Sequence, residues 1–335
     1  MKTKSKPGLN MSQSGLFEFS EDKETGNLVV KHLPTGRVLT VVNTFTEMFP
    51  MWYMRFLVTA ENYKWALNSA RAVVGFGTSI IMSPAECGIE ALVPANRTPD
   101  GRPGVLIQIY HSDRFLLKAQ FLSRVGQCVL TCPTTAVFDS LTKTKRRVKA
   151  GKSLATFGDG FQTKDRMFGR DVWRIPVMEG EFIIEESFGI MKGVAGGMFL
   201  ILAENWKSGL EAAERAVKAI RKVKGVITPF PGGICRSGSK VGSMKYKLKA
   251  STNHLFCPSL KKVVEKSMIP ENVNSVYEIV INGVNLDSIK KALGVGIKAA
   301  IEIPGVVQIT SANYGGKLGP YNLYLKDALA SVGLQ

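Results

Sequence analysis

At 335 residues, with 45% hydrophobic and 21% charged side chains, the chain has the composition of a folded protein long enough for two domains. Five scattered cysteines, two of them in one CVLTC run, and three histidines match neither a disulfide framework nor a zinc site, so no protein-held catalytic metal is expected. The 44 basic against 27 acidic residues, a net +17, favour anionic partners, although the run Lys143, Lys145, Arg146, Arg147, Lys149 and Lys152 reads first as a solvated loop.

Residues 1–42 read as an N-terminal extension. A basic head without a following apolar signal core leads to short strands punctuated by turns at Thr25-Gly26 and Pro34-Thr35-Gly36. A first lobe is expected over 43–150. Its segment FLVTAENYK (Phe56 to Lys64) is an apolar strand running into a helix whose Leu67, Ala70 and Val74 fall at i, i+3 and i+7. A second strand is expected at Thr78 to Met82. Then comes a strand–helix–strand unit: Val105 to Tyr110, Asp113 to Arg124, Gln127 to Thr131. Residues 151–190 contain VWRIPVMEGEFIIEESF, which alternates around Glu179-Gly180 as a β-hairpin does and reads as a linking ribbon.

The second lobe, 191–335, repeats the pattern. Its longest apolar run, from Gly189 to Ala203, is broken by Lys192 and is too short for a membrane span, so the protein reads as soluble and cytoplasmic. FLILAENWK (Phe199 to Lys207) matches the earlier segment at six of nine positions, and Leu210, Ala213 and Val217 repeat the helical stripe. Strand Val226 to Thr228, strand Val276 to Ile281, helix Leu286 to Ala300 and strand Val306 to Thr310 complete it. The expected fold is α+β: two ferredoxin-like βαββαβ lobes related by an internal repeat and joined by a β-ribbon. A doubly wound parallel sheet is the alternative.

From about Asn43 to Lys326, over four-fifths of the chain, a series of collinear segments resembles the formylmethanofuran–tetrahydromethanopterin formyltransferase family. Among them are GFGTSIIMSPAECGIE (75–90), TPDGRPGV (98–105), RVGQCVLTCPT (124–134), FGDGFQ (157–162) and GEFIIEESFGI (180–190). GVAGG (193–197), PFPGGI (229–234), SKVGS (239–243), ASTN (250–253), YEIVING (277–283), PGVVQI (304–309) and NYGGKLG (313–319) continue the series. The resemblance implies a two-lobed subunit, a homo-oligomer (dimer or tetramer) with active sites at subunit contacts, and formyl transfer between two coenzyme substrates, methanofuran and tetrahydromethanopterin. No bound cofactor is implied. Family members in methane-forming archaea work toward the pterin; in methylotrophic bacteria a related protein runs the reverse within a formyltransferase–hydrolase complex. The alternative is a non-catalytic, coenzyme-holding subunit of such a complex. A nucleic-acid partner is not expected, because neither VLIQIY nor YEIVING carries the exposed aromatics of an RNA-recognition strand.

The implied chemistry is attack of a pterin amine on the formyl carbon, a tetrahedral intermediate, and expulsion of the methanofuran amine. It calls for a proton carrier, oxyanion donors and close positioning. In SVYEIVING, Glu278 falls on one face with Val276 and Val280, where desolvation favours a titratable carboxyl, and it aligns with the glutamate implicated in the family. The plain alternative is a glutamate paired with a Lys or Arg. His111, at the end of VLIQIY, is the candidate to polarise the formyl oxygen or hold the pterin, or is a hydrogen-bonded strand-end histidine. Gly232-Gly233 and Gly315-Gly316 are candidates to bring backbone N–H groups to a coenzyme, or are tight turns. Ser251, Thr252 and Asn253 are candidates for polar contacts to a coenzyme. Lys240 and Lys317 are candidates for its phosphate or carboxylates, or are solvated.

Overall fold

The computed structural model describes residues 15–236, 246 and 253–334. Strands β1 (Phe17–Glu21), β2 (Leu28–His32) and β3 (Val38–Val41) lead to the long β4 (Phe45–Thr59). Helix α1 (Tyr63–Val74), β5 (Glu86–Val93), β6 (Gly104–His111), α2 (Arg114–Arg124) and β7 (Ala136–Asp139) complete the first lobe. After β8 (Arg147–Val148) and α3 (Ala150–Ala155) come β9 (Thr163–Met167), β10 (Arg170–Val177), β11 (Gly180–Glu185) and β12 (Phe188–Gly189). The second lobe comprises β13 (Met191–Ala203), α4 (Trp206–Ile220), β14 (Val226–Ile227), β15 (Ser275–Gly283), α5 (Leu286–Ile301) and β16 (Val306–Thr310). Strand β17 (Tyr321–Tyr324) and α6 (Leu325–Ala330) close the chain's described part.

Strand order is β7-β4-β6-β5 in the first lobe and β16-β13-β15-β14 in the second, antiparallel throughout. Both are ferredoxin-like, as the repeat predicts. The repeated AEN tripeptide has a local cause. Its asparagines, Asn62 and Asn205, are the N-caps of α1 and α4, each side-chain oxygen accepting a first-turn backbone N–H, from Trp65 and Ser208. Asn285 does the same for α5 in a reciprocal capping box with Ser288.

The two lobes share one sheet. The N-terminal half of β4 pairs antiparallel with that of β13, Phe49–Tyr53 against Ala195–Met191, and 15 strands run through both lobes. The ribbon forms where expected, with β10 and β11 meeting around Glu179-Gly180. It lies on the outer edge of the first lobe, where β11 pairs with β7, so it is the covalent connection and β4–β13 is the hydrogen-bonded joint. Helices cover one face of each lobe. Met54, Phe56 and Val58 pack on Leu117 and Phe121 in the first, and Phe199, Ile201, Ile279 and Ile281 pack on Val217, Leu293 and Ile297 in the second. Among the described residues no helix is long and apolar enough to cross a membrane.

Two predicted strands are displaced. Thr78 to Met82 is a turn, and the strand is β5, eight residues later. Its Glu86 and Glu90 disguise it, because both are buried by partners in the other lobe and elsewhere in the sheet. Gln127 to Thr131 continues α2 as one π turn, Val125–Val129, with Val125, Gly126 and Val129 buried at helical spacing; the strand is β7. In the extension, Gly26 and Gly36 hold the two predicted turns at φ +68 and +67. Strand β3 pairs parallel with β16, and Arg37 caps the end of α5 by donating to Ile301 O (2.6 Å) and Ile303 O.

Candidate active site

Glu278 lies at the middle of β15, opposite Leu200 of β13, which in turn faces Thr310 of β16. Period-two alternation sends Ile279 and Ile281 to the helices and Val276 and Val280 to the other face, as predicted. On that face Met198, Leu200 and Leu202 form an apolar floor, covered by Phe256, Ile269 and Val273 of the long excursion between β14 and β15. Glu278 is therefore a half-buried carboxylate beside an apolar cluster. Asn253, from that excursion, donates its side-chain N–H to Glu278 Oε2 at 3.2 Å. The other predicted residues of this stretch, Lys240, Ser251 and Thr252, lie outside the described residues.

Strand β14 does not end cleanly. After Ile227 the chain loops out through PFPGG and returns to the ladder at Cys235, whose backbone exchanges two hydrogen bonds with Glu278 (2.8 and 3.1 Å). Two prolines, which lack a ladder donor, cause the interruption. The loop forms one wall of a cleft of about 750 Å³, whose other wall is the end of α1, the turn after it and β5 of the first lobe. Gly232 and Gly233 both line it. They differ in kind. A Cβ on Gly233 would sit 2.7 Å from Thr228 and Val217, so packing requires glycine there, whereas Gly232, at φ +66, has open space above it.

Gly315 and Gly316, at φ +68 and +79, shape the exposed loop after β16 that also carries Lys317. Its start is tied down: the Tyr314 N–H donates to the buried Glu47 (2.9 Å), and Ala312 packs against the same cluster as Val276 and Val280. His111 stands apart. It lies opposite Trp52 of β4, which is opposite Lys192 of β13, eight residues along that strand from Leu200. At about 3.3 Å per residue this is roughly 26 Å along the sheet from the Glu278 row. Its Nδ1 accepts the Asp113 N–H (2.8 Å) at the start of α2, as the strand-end reading has it. Within one chain the structure brings Asn253 to Glu278 and keeps His111 away.

Sequence reasoning missed the polar contacts that lock the lobes together. Glu90 accepts two bonds from Arg55 (both 2.7 Å), one from Gln108 (2.6 Å) and one from the Gly225 N–H (2.8 Å) of the second lobe. Burial pushes its carboxyl up, but the Arg55 hydrogen bonds and charge outweigh it and hold it below the usual range. Glu86 accepts from Asn282 (2.5 Å) and from the Ile80 N–H (3.2 Å); burial dominates there and raises it. Asn282 also accepts the Gly196 N–H (3.1 Å) at the irregularity in β13. Among the described residues no group of His, Cys, Asp and Glu is placed to hold a metal.

The fold and site thus define a tandem ferredoxin-like α+β protein with a carboxylate at its sheet centre and a ligand-sized cleft between its lobes. Comparison narrows this. The pattern of the family described as formylmethanofuran-tetrahydromethanopterin formyltransferase matches residues 36–177, and that of its proximal lobe matches residues 180–328. The formyltransferase of this name from Methanocaldococcus jannaschii is 55% identical over 291 residues, spanning 86% of this chain and 97% of the relative. The solved Methanosarcina barkeri formyltransferase superposes with a TM-score of 0.83 at 49% identity, over 86% of this chain and 97% of its own. A chain of the Methylorubrum extorquens formyltransferase/hydrolase complex, solved with methylofuran, gives 0.82 at 41% identity, over 87% and 97%. The chain belongs to the formylmethanofuran–tetrahydromethanopterin formyltransferase family.

Proposed function

We infer that the chain transfers a formyl group between formylmethanofuran and tetrahydromethanopterin, with Glu278 carrying the proton. Identity of 49–55% to formyltransferases over 86% of the chain supports the reaction. The observation that supports the residue is the placement of Glu278, half buried beside an apolar cluster with a donor from Asn253. A half-buried carboxylate held by a side-chain donor is placed to accept a proton and return it. The pterin amine attacks the formyl carbon, a C–N bond forms, and Glu278 takes the amine proton. The tetrahedral alkoxide then collapses, the bond to the methanofuran nitrogen breaks, and Glu278 returns the proton to that nitrogen. Neither a covalent enzyme intermediate nor a bound metal or prosthetic group enters these steps. Two large coenzymes meet in the transition state, so positioning supplies much of the rate. We further propose a cytoplasmic homo-oligomer, a dimer or tetramer, able to join a formyltransferase–hydrolase complex such as the Methylorubrum extorquens one.

Glu278→Gln tests the residue. Gln keeps the volume and removes the titratable proton, so kcat should fall by about 10²–10⁴ with coenzyme affinity and thermal midpoint retained. If instead the midpoint drops and the folded fraction turns over normally, Glu278 is a structural ion-pair partner. Chelator treatment of the same wild-type preparation should leave turnover unchanged.

A further inference from the structure

We propose that Asn282 is a positioning residue for formyl transfer: with Thr46 it clamps a one-residue bulge in β13, and that bulge sets the register that turns Glu278 toward the site. The proposal rests on the reading of Glu278 as the proton carrier.

Strand β13 carries one residue more than its partner at this point. Val194 lies opposite Gly283 and Gly197 opposite Ile281, so three steps along β13 answer two along β15. Beyond the bulge the register runs unbroken to Ala203 and places Glu278 opposite Leu200. Side chains directly opposite in a ladder share a face. Leu200 belongs to the apolar floor of the site, whereas its neighbour Phe199 points into the helix-covered core. Without the extra residue Glu278 would lie opposite Phe199 and enter that core, because a one-residue slip exchanges the faces of a strand.

Two side chains hold the bulge. The Asn282 Oδ1 accepts the Gly196 N–H (3.1 Å). From β4, the Thr46 hydroxyl accepts the Met198 N–H (2.8 Å) and donates to Gly196 O (3.4 Å). Both side chains belong to fully buried residues, so they stand in for the ladder bonds that the bulge breaks. Gly196 takes φ +88, and a Cβ there would lie 2.9 Å from the Phe49 ring, so the bulge is built for glycine. The Asn282 amide is oriented from the other lobe. Its Nδ2 donates to one oxygen of Glu86 (2.5 Å), and the other oxygen accepts the Ile80 N–H (3.2 Å). With an acceptor on one end and a donor on the other, the amide has a single orientation. A first-lobe glutamate thus fixes a second-lobe register, on the strand that carries the reacting carboxylate.

Asn282→Asp keeps the shape and the acceptor for Gly196 but sets an oxygen against Glu86 in place of the N–H. The kcat of the folded enzyme should fall by about 10²-fold, the scale of a 1 Å misplacement, with KM for either coenzyme little changed. Adding Glu86→Gln restores a donor–acceptor pair of reversed polarity, and kcat should recover. A merely structural role lowers the thermal midpoint and leaves kcat per folded molecule at the wild-type value, which overturns the proposal. Combining Asn282→Asp with Glu278→Gln tests the route of the effect. If Asn282 acts through Glu278, the combined variant turns over no more slowly than Glu278→Gln alone, and additive losses overturn the positioning role. Should Asn282→Asp fail to fold, Thr46→Ser and Thr46→Val make the test from β4. Retaining the hydroxyl should keep kcat and losing it should lower kcat; equal kcat in both overturns the clamp. If Glu278→Gln itself keeps wild-type kcat, the proton-carrier reading fails and Asn282 has nothing to position. Normal kcat in Asn282→Asp beside an inactive Glu278→Gln removes the positioning role alone.

Discussion

Glu90 and Glu86 are four residues apart on one strand and titrate in opposite senses. The carboxyl of Glu90 is held low by Arg55, so its contribution to stability is present above the unfolded value, about 4.3, and is lost as pH falls through the folded value. Glu86 is raised by burial, so folding favours its protonated form and its contribution declines as pH rises above the unfolded value. Replacing Glu90 with Ala leaves Arg55 half buried and unpaired, at an expected cost of about 3–5 kcal/mol. Denaturant unfolding at pH 7 measures it, and a pH series on the variant should show a shallower acid loss than wild type. An unchanged midpoint at pH 7 would remove the lobe lock from the account. Neither glutamate was legible in the sequence, because their partners Gly225 and Asn282 are 135 and 196 residues away. Glu278 was legible because its face is written locally, in the valines two residues to either side.

Helices were read more accurately than the short strands. The stripes Leu67/Ala70/Val74 and Leu210/Ala213/Val217 are long enough to show a period, whereas five-residue apolar runs such as QCVLT carry none, and one of them is a π turn. Helix α5 supplies a case where propensity and packing give opposite signs. Gly294 sits inside it, and replacing a helical Gly with Ala gains about 1 kcal/mol by propensity. A Cβ at 294, however, would lie 2.2 Å from the Ala328 carbonyl of α6, a contact of backbone with backbone that no rotamer relieves. Packing should win, and Gly294→Ala should destabilise by about 1–3 kcal/mol. Thermal unfolding decides the sign, and an increase in midpoint would mean that α6 moves away freely.

At the scale of the molecule, the tandem lobes were visible as a repeat, because each strand–helix unit is local and carries its own capping asparagine. Their fusion was not visible. Pairing of Phe49–Tyr53 with Ala195–Met191 depends on register between distant strands, and register leaves no mark in composition. The net charge of +17 belongs to this scale too. A cationic surface speeds encounter with anionic coenzymes, so raising ionic strength should lower kcat/KM and leave kcat nearly constant. Steady-state assays from low to high salt check this; activation by salt would show that the positive field does not steer the coenzymes.

The central strand of the first lobe can be completed only late in synthesis. Strand β4 pairs with β17, from Tyr321–Met48 to Tyr324–Phe45, and β3 pairs with β16. Residues of the first lobe therefore wait for segments far along the chain before these hydrogen bonds close. The first lobe emerges with Phe45–Met48 of its long strand unpaired on this edge until the β17 segment has been made. Such distant pairing slows folding and leaves a template for mispairing meanwhile, which places the chain's hazard in its synthesis rather than in its finished form.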